Sequence, residues 1–362
     1  MSSELRASVV VVAYNSARDL PGCLESLLPT LGPDDEVLVY DNASCDGSSA
    51  VAGRYPVRTV RSDENRGFGG ANNRAAALTA GRYLVFLNPD TAVEPGWLDP
   101  LLEAIGDGPG LATSKIVLMD DPGRIDTCAN RVHLSGITVC RGHGQPATRY
   151  GATERVLAVS GAAFAVDRAT WERLGGFDER FFMYLEDTDL SLRAALAGVP
   201  CWYVGSSRVR HRHVPRFGPR KIYWLERNRW LMVTKLWSGR TFVGLLPTLG
   251  LLEMLTWGYA LLGGPSALRE RLRASTWVLG HLPELFAARS RVQRARTTDD
   301  ASVLARADWR LDLAELASNE ALARVLGWLL TPVLFLSYLV FSAVVRRADS
   351  GSTATLAGAR LA

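Results

Sequence analysis

A glycine-rich turn and a carboxylate that ends a strand pattern stand about twenty residues apart in this sequence. The turn reads Asn65-Arg66-Gly67-Phe68-Gly69-Gly70 and opens a helical pattern, and the apolar residues 84–87 lead into Asn88-Pro89-Asp90. Glycines let backbone N–H groups approach a phosphate closely, and a helix N-terminus favours negative charge. Open α/β sheets bind ligands at the carboxyl ends of their strands. The pattern therefore predicts a diphosphate site beside Asp90, as an enzyme that uses a nucleotide sugar needs.

Two carboxylates end strand patterns and could contact a nucleotide. Asp90 offers the hard oxygen that Mg²⁺ or Mn²⁺ prefers, and such a metal neutralises charge on a departing diphosphate. Asn-Pro-Asp is also a good turn sequence, so a purely structural role stays open. Asp41 ends the strand pattern at 36–40. It could accept a hydrogen bond from the N3–H of a pyrimidine base, or cap the following helix, or do both.

Three acidic residues, Glu186, Asp187 and Asp189, crowd the first turn of a predicted helix. Compensation of the helix dipole and a pair between Asp189 and Arg193 would explain one or two of them. Three acids held together repel, and this crowding can raise a carboxyl pKa into the working range of a general base.

Two histidines, His211 and His213, follow the next strand pattern. Imidazole can complete a Mn²⁺ site, so one of the two is a candidate metal ligand. The alternative is that both share a basic face.

Strand and helix patterns alternate in the first hundred residues and must position these side chains. Apolar runs at 7–13, 36–40, 57–60 and 84–87 are separated by helical patterns at 19–28 and 47–53 and by the glycine-rich turn with its helix. Such alternation predicts an α/β fold with a mostly parallel sheet covered by helices on both faces. Further along, we expect a strand pair between 156 and 166, a helix at 185–197 and a short strand at 202–204.

Composition limits the classes of protein that this chain can belong to. A net charge of +4 over 362 residues argues against bulk binding of nucleic acid. The five cysteines show no metal-type spacing, which indicates free thiols in a reducing compartment, and no signal peptide is evident. Residues 205–229 hold eight Lys and Arg against one acid. That segment is either a solvated basic face or a surface for lipid headgroups or a diphosphate.

The sequence changes character after residue 236. Uncharged runs cover 241–252 and 326–345, and the second is long enough to span a bilayer. Ten arginines lie between Arg269 and Arg324, so two crossings would violate the positive-inside rule. We therefore expect helices that lie in the cytoplasmic face of the cell membrane, with one C-terminal span or a soluble helical cap as alternatives. The predicted regions are a catalytic domain at 1–235, a helical region at 236–348 and a disordered tail at 349–362.

The order of the motifs resembles that of the family 2 inverting glycosyltransferases. The likeness is strongest to the rhamnosyltransferase and galactofuranosyltransferase branch that builds bacterial cell-surface glycans, and it covers about residues 7–235. Each motif is weak alone, but seven in one order are a strong signal. They are Ala13-Tyr14-Asn15, Asp41-Asn42-Ala43-Ser44, Asn65 to Asn72, Leu87-Asn88-Pro89-Asp90-Thr91, Ser160-Gly161, Gly175-Gly176-Phe177-Asp178 and Glu186-Asp187-Thr188-Asp189-Leu190.

The resemblance implies a GT-A fold, a divalent cation (Mn²⁺ or Mg²⁺) and a nucleoside-diphosphate sugar as donor. It implies that Asp187 is the catalytic base with Glu186 beside it, and that Asp90 and His211 hold the metal. Gly161, Gly176 and Asp178 would border the acceptor. The implied donor-binding residues are Ala13, Tyr14, Asn15, Asp41, Asn65, Arg66, Gly67, Gly70, Asn88 and Asp90.

The resulting hypothesis is a single displacement onto a polyprenyl-diphosphate-linked glycan at the membrane surface. Rhamnose from a dTDP donor is the preferred sugar, and galactofuranose or another hexose from a UDP donor is the alternative. A nucleotidyltransferase would need a basic glycine-rich loop directly after the first strand, where this chain has Tyr14-Asn15-Ser16-Ala17. A catalytically inactive membrane scaffold is a further alternative, and the retained Asp41, Asp90 and Asp187 argue against it.

Overall fold

The computed structural model describes residues 5–212, 218–311, 327–328 and 330–344. The chain forms two compact units, which we call the sheet unit (Met1–Asn130 and Cys140–Arg216) and the helical unit (Arg131–Val139 and Phe217–Ala362). The boundary thus falls before residue 218, whereas the sequence suggested 235. His213 and the predicted tail at 349–362 lie outside the described residues.

Ten strands of the sheet unit form one sheet, and two further strands, β8 and β9, form a separate hairpin. The order in the sheet is β10-β12-β6-β11-β4-β1-β2-β3, with β5 beside β12 and β7 beside β6. The strands are β1 Ala7–Ala13, β2 Asp35–Asp41, β3 Arg58–Arg61, β4 Tyr83–Leu87, β5 Thr91–Val93, β6 Leu111–Leu118, β7 Ile125–Thr127, β8 Asn130–Val132, β9 Thr138–Cys140, β10 Glu154–Val156, β11 Ala163–Asp167 and β12 Cys201–His211.

The sheet is parallel in its first half and mixed in its second. Strands β3, β2, β1 and β4 are parallel neighbours, but β11 runs antiparallel to both β4 and β6. The α/β prediction is confirmed. Outside these four strands, β6 and β12 are one further parallel pair, and the other pairs of the sheet are antiparallel. The reason is that helical crossovers become scarce after residue 106, and strands without such crossovers pair antiparallel.

Helices cover both faces of this sheet. Val9 and Val11 of β1 face one apolar cluster, to which α1 and α4 contribute, and Val10 faces the other, to which α3, α5 and α6 contribute. This period of two places a fully buried strand in the middle of the unit. The helices are α1 Leu20–Leu27, α2 Ser48–Ala52, α3 Gly67–Ala76, α4 Leu98–Ile105, α5 Arg168–Leu174 and α6 Glu186–Leu196, with 3₁₀ turns at Leu28–Thr30 and Glu179–Phe181.

The first long helix of the helical unit begins at residue 219. Its helix α7 packs on α9 and α10, which is why α7 does not belong to the sheet unit. Among the described helices, α8 is the one long and apolar enough to cross a membrane. The helices are α7 Pro219–Leu236, α8 Gly239–Leu262, α9 Gly264–Gly280, α10 Leu282–Ala295, α11 Asp300–Leu304 and α12 Leu330–Val344.

In the described parts of the basic segment, 205–212 and 218–229, the arginines do not all form one anion-binding surface, which corrects that interpretation of the sequence. Strand β12 continues to His211, so Arg208 and Arg210 lie on a strand, 3.5 and 3.1 Å from Glu94. Arg229 is buried in α7 and forms an ion pair with Glu226. These cations already have acidic partners inside the protein.

Candidate active site

Asp41 is the last residue of β2 and is fully buried. Its Oδ1 accepts a hydrogen bond from the Ser44 N–H at 2.9 Å, which closes a turn. The predicted capping of the following helix is wrong, because α2 begins at Ser48 with Gly47 at its N-cap. Its Oδ2 lies 3.6 Å from an Arg61 guanidinium nitrogen and has no hydrogen-bond partner within the described ranges. A buried carboxylate oxygen left in this way is costly unless a ligand donates to it. Binding of the pyrimidine base of the nucleotide by Asp41 stays a prediction, and this geometry supports it.

The loop after β1 is fixed to the loop after β2. Asn15 has a φ of +52°, its N–H donates to Ser44 Oγ at 3.0 Å, and its Oδ1 accepts the Cys45 N–H at 2.9 Å. Ala13 accepts the Asn42 N–H at 2.8 Å, and the Tyr14 side chain is half exposed. A positive φ at a non-glycine residue costs energy and is typical of functional loops.

The glycine-rich turn approaches the protein's own backbone. Gly67 has a φ of +70°, and a Cβ there would collide with the Phe182 carbonyl. The Gly67 N–H donates to Asn65 Oδ1 at 2.9 Å and the Phe68 N–H donates to the Phe182 carbonyl at 2.6 Å. A Cβ at Gly70 would press on the Arg66 side chain. Packing of residue 182 therefore accounts for Gly67, and the diphosphate role of this turn stays a prediction.

Asn42 joins the glycine-rich turn to the end of β2. Its Oδ1 accepts the Arg66 N–H at 2.9 Å, and its Nδ2 donates to Asn65 Oδ1 at 3.0 Å. The sequence predicted no separate role for Asn42, which stood only within a motif. In the structure its side chain places Asn65 and Arg66 beside Asp41.

Asp90 and His211 come together at the ends of their strands. Asp90 Oδ1 lies 3.4 Å from His211 Nε2 and has no hydrogen-bond partner in the part of the chain that the structure describes. The other ring nitrogen, Nδ1, lies 2.7 Å from Asp126 Oδ2. Burial lowers the pKa of His211, but the Asp126 and Asp90 carboxylates more than offset this effect and raise it to about 10.

Asp126 was missed by the sequence analysis. It lies on β7, and its side chain is almost fully buried. The surrounding sequence, Ile125-Asp126-Thr127, is a three-residue strand with no periodicity to identify it. Only the fold brings the Asp126 carboxylate to Nδ1 of the His211 imidazole.

The Asp90 and His211 side chains fit a divalent cation. A hard cation commonly takes one or two carboxylates and completes its coordination with substrate phosphates. The residues described include no group of three or more His, Cys, Asp or Glu arranged to hold a metal alone. Asp90 Oδ1, buried and without a hydrogen bond, would be the carboxylate ligand beside a diphosphate. His211 Nε2 would be the nitrogen ligand, and the cation would have to displace the proton that the raised pKa keeps on the ring.

Asp187 lies at the start of α6 and contacts the predicted acceptor side. Its Oδ2 accepts hydrogen bonds from the Gly161 N–H at 2.8 Å and from Asn130 Nδ2 at 3.0 Å, and its Oδ1 accepts the Thr188 N–H at 2.6 Å. Burial raises the pKa of Asp187 although these hydrogen bonds lower it. Asn130, on β8, is a second residue that the sequence analysis did not identify.

Glu186 is buried next to Asp187, and its Oε2 has no hydrogen-bond partner among the residues that the structure places. Burial, followed by the charges of Asp187 and Asp189, raises the pKa of Glu186 to about 8. Asp189 pairs with Arg193 at 2.8 Å, as the sequence predicted. A raised carboxyl pKa was expected from crowding, but burial is the larger cause.

The other predicted acceptor residues form a tight turn beside α3. Gly176 has a φ of +65°, and its carbonyl accepts a hydrogen bond from Arg193 at 2.7 Å. Asp178 pairs with Arg180 at 2.5 Å. Both residues hold the segment that leads to Phe182, and their contact with an acceptor stays a prediction.

These groups meet at one edge of the sheet. The parallel register pairs Ala13 with Asp41, so β1 and β2 end together, and β4 runs parallel beside β1. The Asn88 N–H donates to the Ala162 carbonyl at 2.9 Å, and the neighbouring Gly161 contacts Asp187. The Asp90 loop and Asp187 are therefore joined through the segment 160–162, which contacts both.

A family model described as Glycosyl transferase family 2 matches residues 8–136. The N-acetylglucosaminyl-diphospho-decaprenol L-rhamnosyltransferase of Mycobacterium tuberculosis is 32% identical over 229 residues, which are 56% of this chain and 75% of that protein. This chain belongs to glycosyl transferase family 2. The succinoglycan biosynthesis protein ExoO of Rhizobium meliloti is 35% identical over 119 residues, or 32% of this glycosyltransferase and 34% of ExoO.

A solved structure supports the fold of this glycosyltransferase. The crystal structure of GalNAc-T7 with UDP, GalNAc and Mn²⁺ matches it with a TM-score of 0.56 at 17% identity, over 80% of this chain and 58% of that one. The predicted family, the enzyme class and the GT-A fold are thus confirmed.

Proposed function

We propose that this glycosyltransferase moves L-rhamnose from dTDP-rhamnose, with inversion, to a lipid-linked glycan during synthesis of a bacterial cell-surface polysaccharide. The Mycobacterium tuberculosis relative is named for rhamnosyl transfer to an N-acetylglucosaminyl-diphospho-decaprenol, which supports the sugar and the class of acceptor. The observation that carries the proposal is that one segment, 160–162, binds both the Asp90 loop and Asp187, at the sheet edge where Asp41 ends β2. The sheet unit is the proposed catalytic domain.

Each carboxylate has a separate task in this reaction. Asp41 Oδ2 accepts the N3–H of the thymine or uracil base. Asp187 takes the proton from the acceptor hydroxyl, and its raised pKa suits a general base. The contacts from Gly161 and Asn130 hold Asp187 in place for that transfer.

Asp90 and His211 would hold Mn²⁺ or Mg²⁺. When bound, the cation supplies positive charge to the departing nucleoside diphosphate. GalNAc-T7, which shares the fold, was crystallised with Mn²⁺ and UDP. His211 presents Nε2 to this position because Asp126 holds Nδ1.

The proposed location is the cytoplasmic face of the cell membrane, with the helical unit as the membrane-associated region. A lipid-linked acceptor is confined to a membrane, so the enzyme must work at its surface. The apolar helices α8 and α12 support this location.

Transfer assays with purified protein test the donor and the requirement for a divalent cation together. With lipid-linked N-acetylglucosamine as acceptor, dTDP-rhamnose should be consumed faster than UDP-galactofuranose or other UDP-sugars, and only with a divalent cation. In a thermal-shift panel, a donor at about 100 times its Kd should add roughly 2.7 kcal/mol of stability. Preference for a UDP-sugar would replace the sugar and keep the enzyme class.

Asp187→Asn should keep donor affinity and lose several orders of magnitude in kcat, because the amide cannot accept the proton. Exposed Asp107→Asn is the matched control and should behave as wild type. Near-normal turnover of Asp187→Asn would remove Asp187 from the role of base.

A further inference from the structure

Exposed large apolar side chains concentrate in the helical unit. Of the seventeen found in the described ranges, two (Tyr14 and Leu78) lie in the sheet unit and fifteen in the helical unit. Large exposed apolar patches mark sites of interaction with proteins or membranes. The fifteen are Val243, Leu246, Met254, Tyr259, Leu261, Leu262, Leu272, Leu279, Phe286, Trp328, Val333, Phe335, Leu336, Leu339 and Val340.

Helix α8 presents an apolar outer face. Val243, Leu246, Met254 and Leu261 are 48–69% exposed and recur at helical spacing. The one acidic residue of α8, Glu253, points elsewhere and pairs with the buried Arg229 and Arg271. The helix therefore keeps its acidic side chain out of the exposed apolar row.

Helix α12 lies against α8 and continues this surface. A Cβ added at Gly244 of α8 would contact the Val344 and Phe341 side chains of α12 at 3.4 and 3.6 Å. On its outer side, α12 exposes Val333, Leu336 and Val340. The helix contains no charged residue. Together, α8 and α12 form one apolar surface, which we call the α8–α12 face.

The helical unit is strongly basic. Its described residues, 131–139, 218–311, 327–328 and 330–344, contain 16 Lys and Arg against seven Asp and Glu, whereas the whole chain has a net charge of only +4. Arg240 at the start of α8 is exposed, and Arg269 and Arg273 are exposed beside Leu272 on α9. An apolar surface on a basic unit matches a bilayer that contains anionic lipids.

We propose that the α8–α12 face docks, without crossing, on an anionic phospholipid bilayer. The apolar side chains enter the boundary between headgroups and acyl chains, and the arginines contact the phosphates. A second copy of the chain fits less well, because two units with this excess of positive charge would repel. Crossing is disfavoured because the inner side of α8 packs on the buried ion pairs of Glu253. The inference rests on the proposed function in one respect: the lipid-linked acceptor of that function is held in the same bilayer.

Vesicle flotation of the full-length chain tests this docking. The protein should float with phosphatidylcholine vesicles that contain phosphatidylglycerol, much less with phosphatidylcholine alone, and less at high salt. The double variant Leu246→Glu with Met254→Glu should lower the bound fraction at least about ten-fold, because each charge would enter the apolar layer. Leu78→Glu makes the same kind of change on the sheet unit and should float as wild type does.

Equal flotation of the double variant and wild type would overturn the proposal, as would equal binding to vesicles with and without phosphatidylglycerol. A dimer in light scattering that the double variant abolishes, with no vesicle binding by wild type, would assign the face to a second copy. Hydrolysis of a soluble nucleotide sugar, measured on every variant, should stay unchanged. Flotation without transfer from any donor would instead contradict the proposed function and leave the docking intact.

Discussion

At the scale of single residues, the candidate site is marked by buried carboxylate oxygens that lack hydrogen-bond partners in the described chain. Asp41 Oδ2, Asp90 Oδ1 and Glu186 Oε2 share this property. Strand ends were enough to predict Asp41 and Asp90, and the crowding of acids at the start of a helix was enough to predict Glu186. The sequence could not show which oxygen is free, because that depends on donors such as Ser44 and on the fold around them.

Asp126 gives a residue-scale prediction about metal binding. Its carboxylate holds His211 Nδ1, so Asp126→Asn should free the ring and weaken Mn²⁺ binding by about 10- to 100-fold. Calorimetry or electron paramagnetic resonance with Mn²⁺ and a nucleoside diphosphate would measure this affinity directly. Asp107→Asn, on the exposed surface, is the control. Unchanged Mn²⁺ affinity in Asp126→Asn would show that the imidazole is held by other contacts.

Glu186 gives a prediction about pH. Its pKa is about 8 in the folded protein against an ordinary value of 4.5, so between these pH values the folded state holds a proton that the unfolded state has lost. Stability must then fall as pH rises from 4.5 to 8. Glu186→Gln should flatten this part of the Tm–pH curve, with the exposed Glu103→Gln as control. Parallel curves for wild type and Glu186→Gln would contradict the burial of an ionisable group there.

At the scale of elements, prediction succeeded where burial gives a strong pattern. The β-branched run of β1 and the helix pattern of α6 were placed to within about one residue of their observed bounds. The region from 92 to 160 contains strands of three residues, whose pairing depends on distant partners, and no local pattern identifies them. Strand β12 was predicted too short because residues 205–207 (Gly-Ser-Ser) interrupt its apolar residues, at the register shift between Val204 and Arg208.

The glycine-rich turn allows packing and backbone strain to be separated. Gly67 and Gly96 both have φ near +70°, but a Cβ would collide with the Phe182 carbonyl only at Gly67, and nothing lies within 4 Å at Gly96. Gly96→Ala should cost about 1–2 kcal/mol of unfolding free energy for its φ alone. Gly67→Ala should cost more and should also weaken donor binding. Equal losses in denaturant titrations would mean that residue 182 moves aside freely.

At the scale of the whole molecule, the helical unit includes a short piece of distant sequence. The hairpin at 131–139 contacts residues near 308: Arg131 pairs with Asp308 at 2.7 Å, and His133 lies 3.1 Å from the Trp309 carbonyl. No sequence pattern links positions about 176 residues apart, which is why the hairpin was assigned to the predicted catalytic domain at 1–235. A truncation at residue 235 would remove the hairpin's partners.

His133 makes this arrangement measurable through pH. Burial lowers the pKa of His133 to about 4, whereas an unfolded histidine titrates at 6.5. Between these values only the unfolded state binds the proton, so stability must fall as pH drops from 6.5 to 4, by roughly 3 kcal/mol at most. Seven of the ten tryptophans lie after residue 218, so their fluorescence mainly reports unfolding of the helical unit. His133→Gln should remove most of this acid sensitivity. The control Arg294→Gln changes an exposed residue of α10 and should leave it unchanged. Identical acid curves for wild type and His133→Gln would mean that the hairpin detaches before the helical unit unfolds.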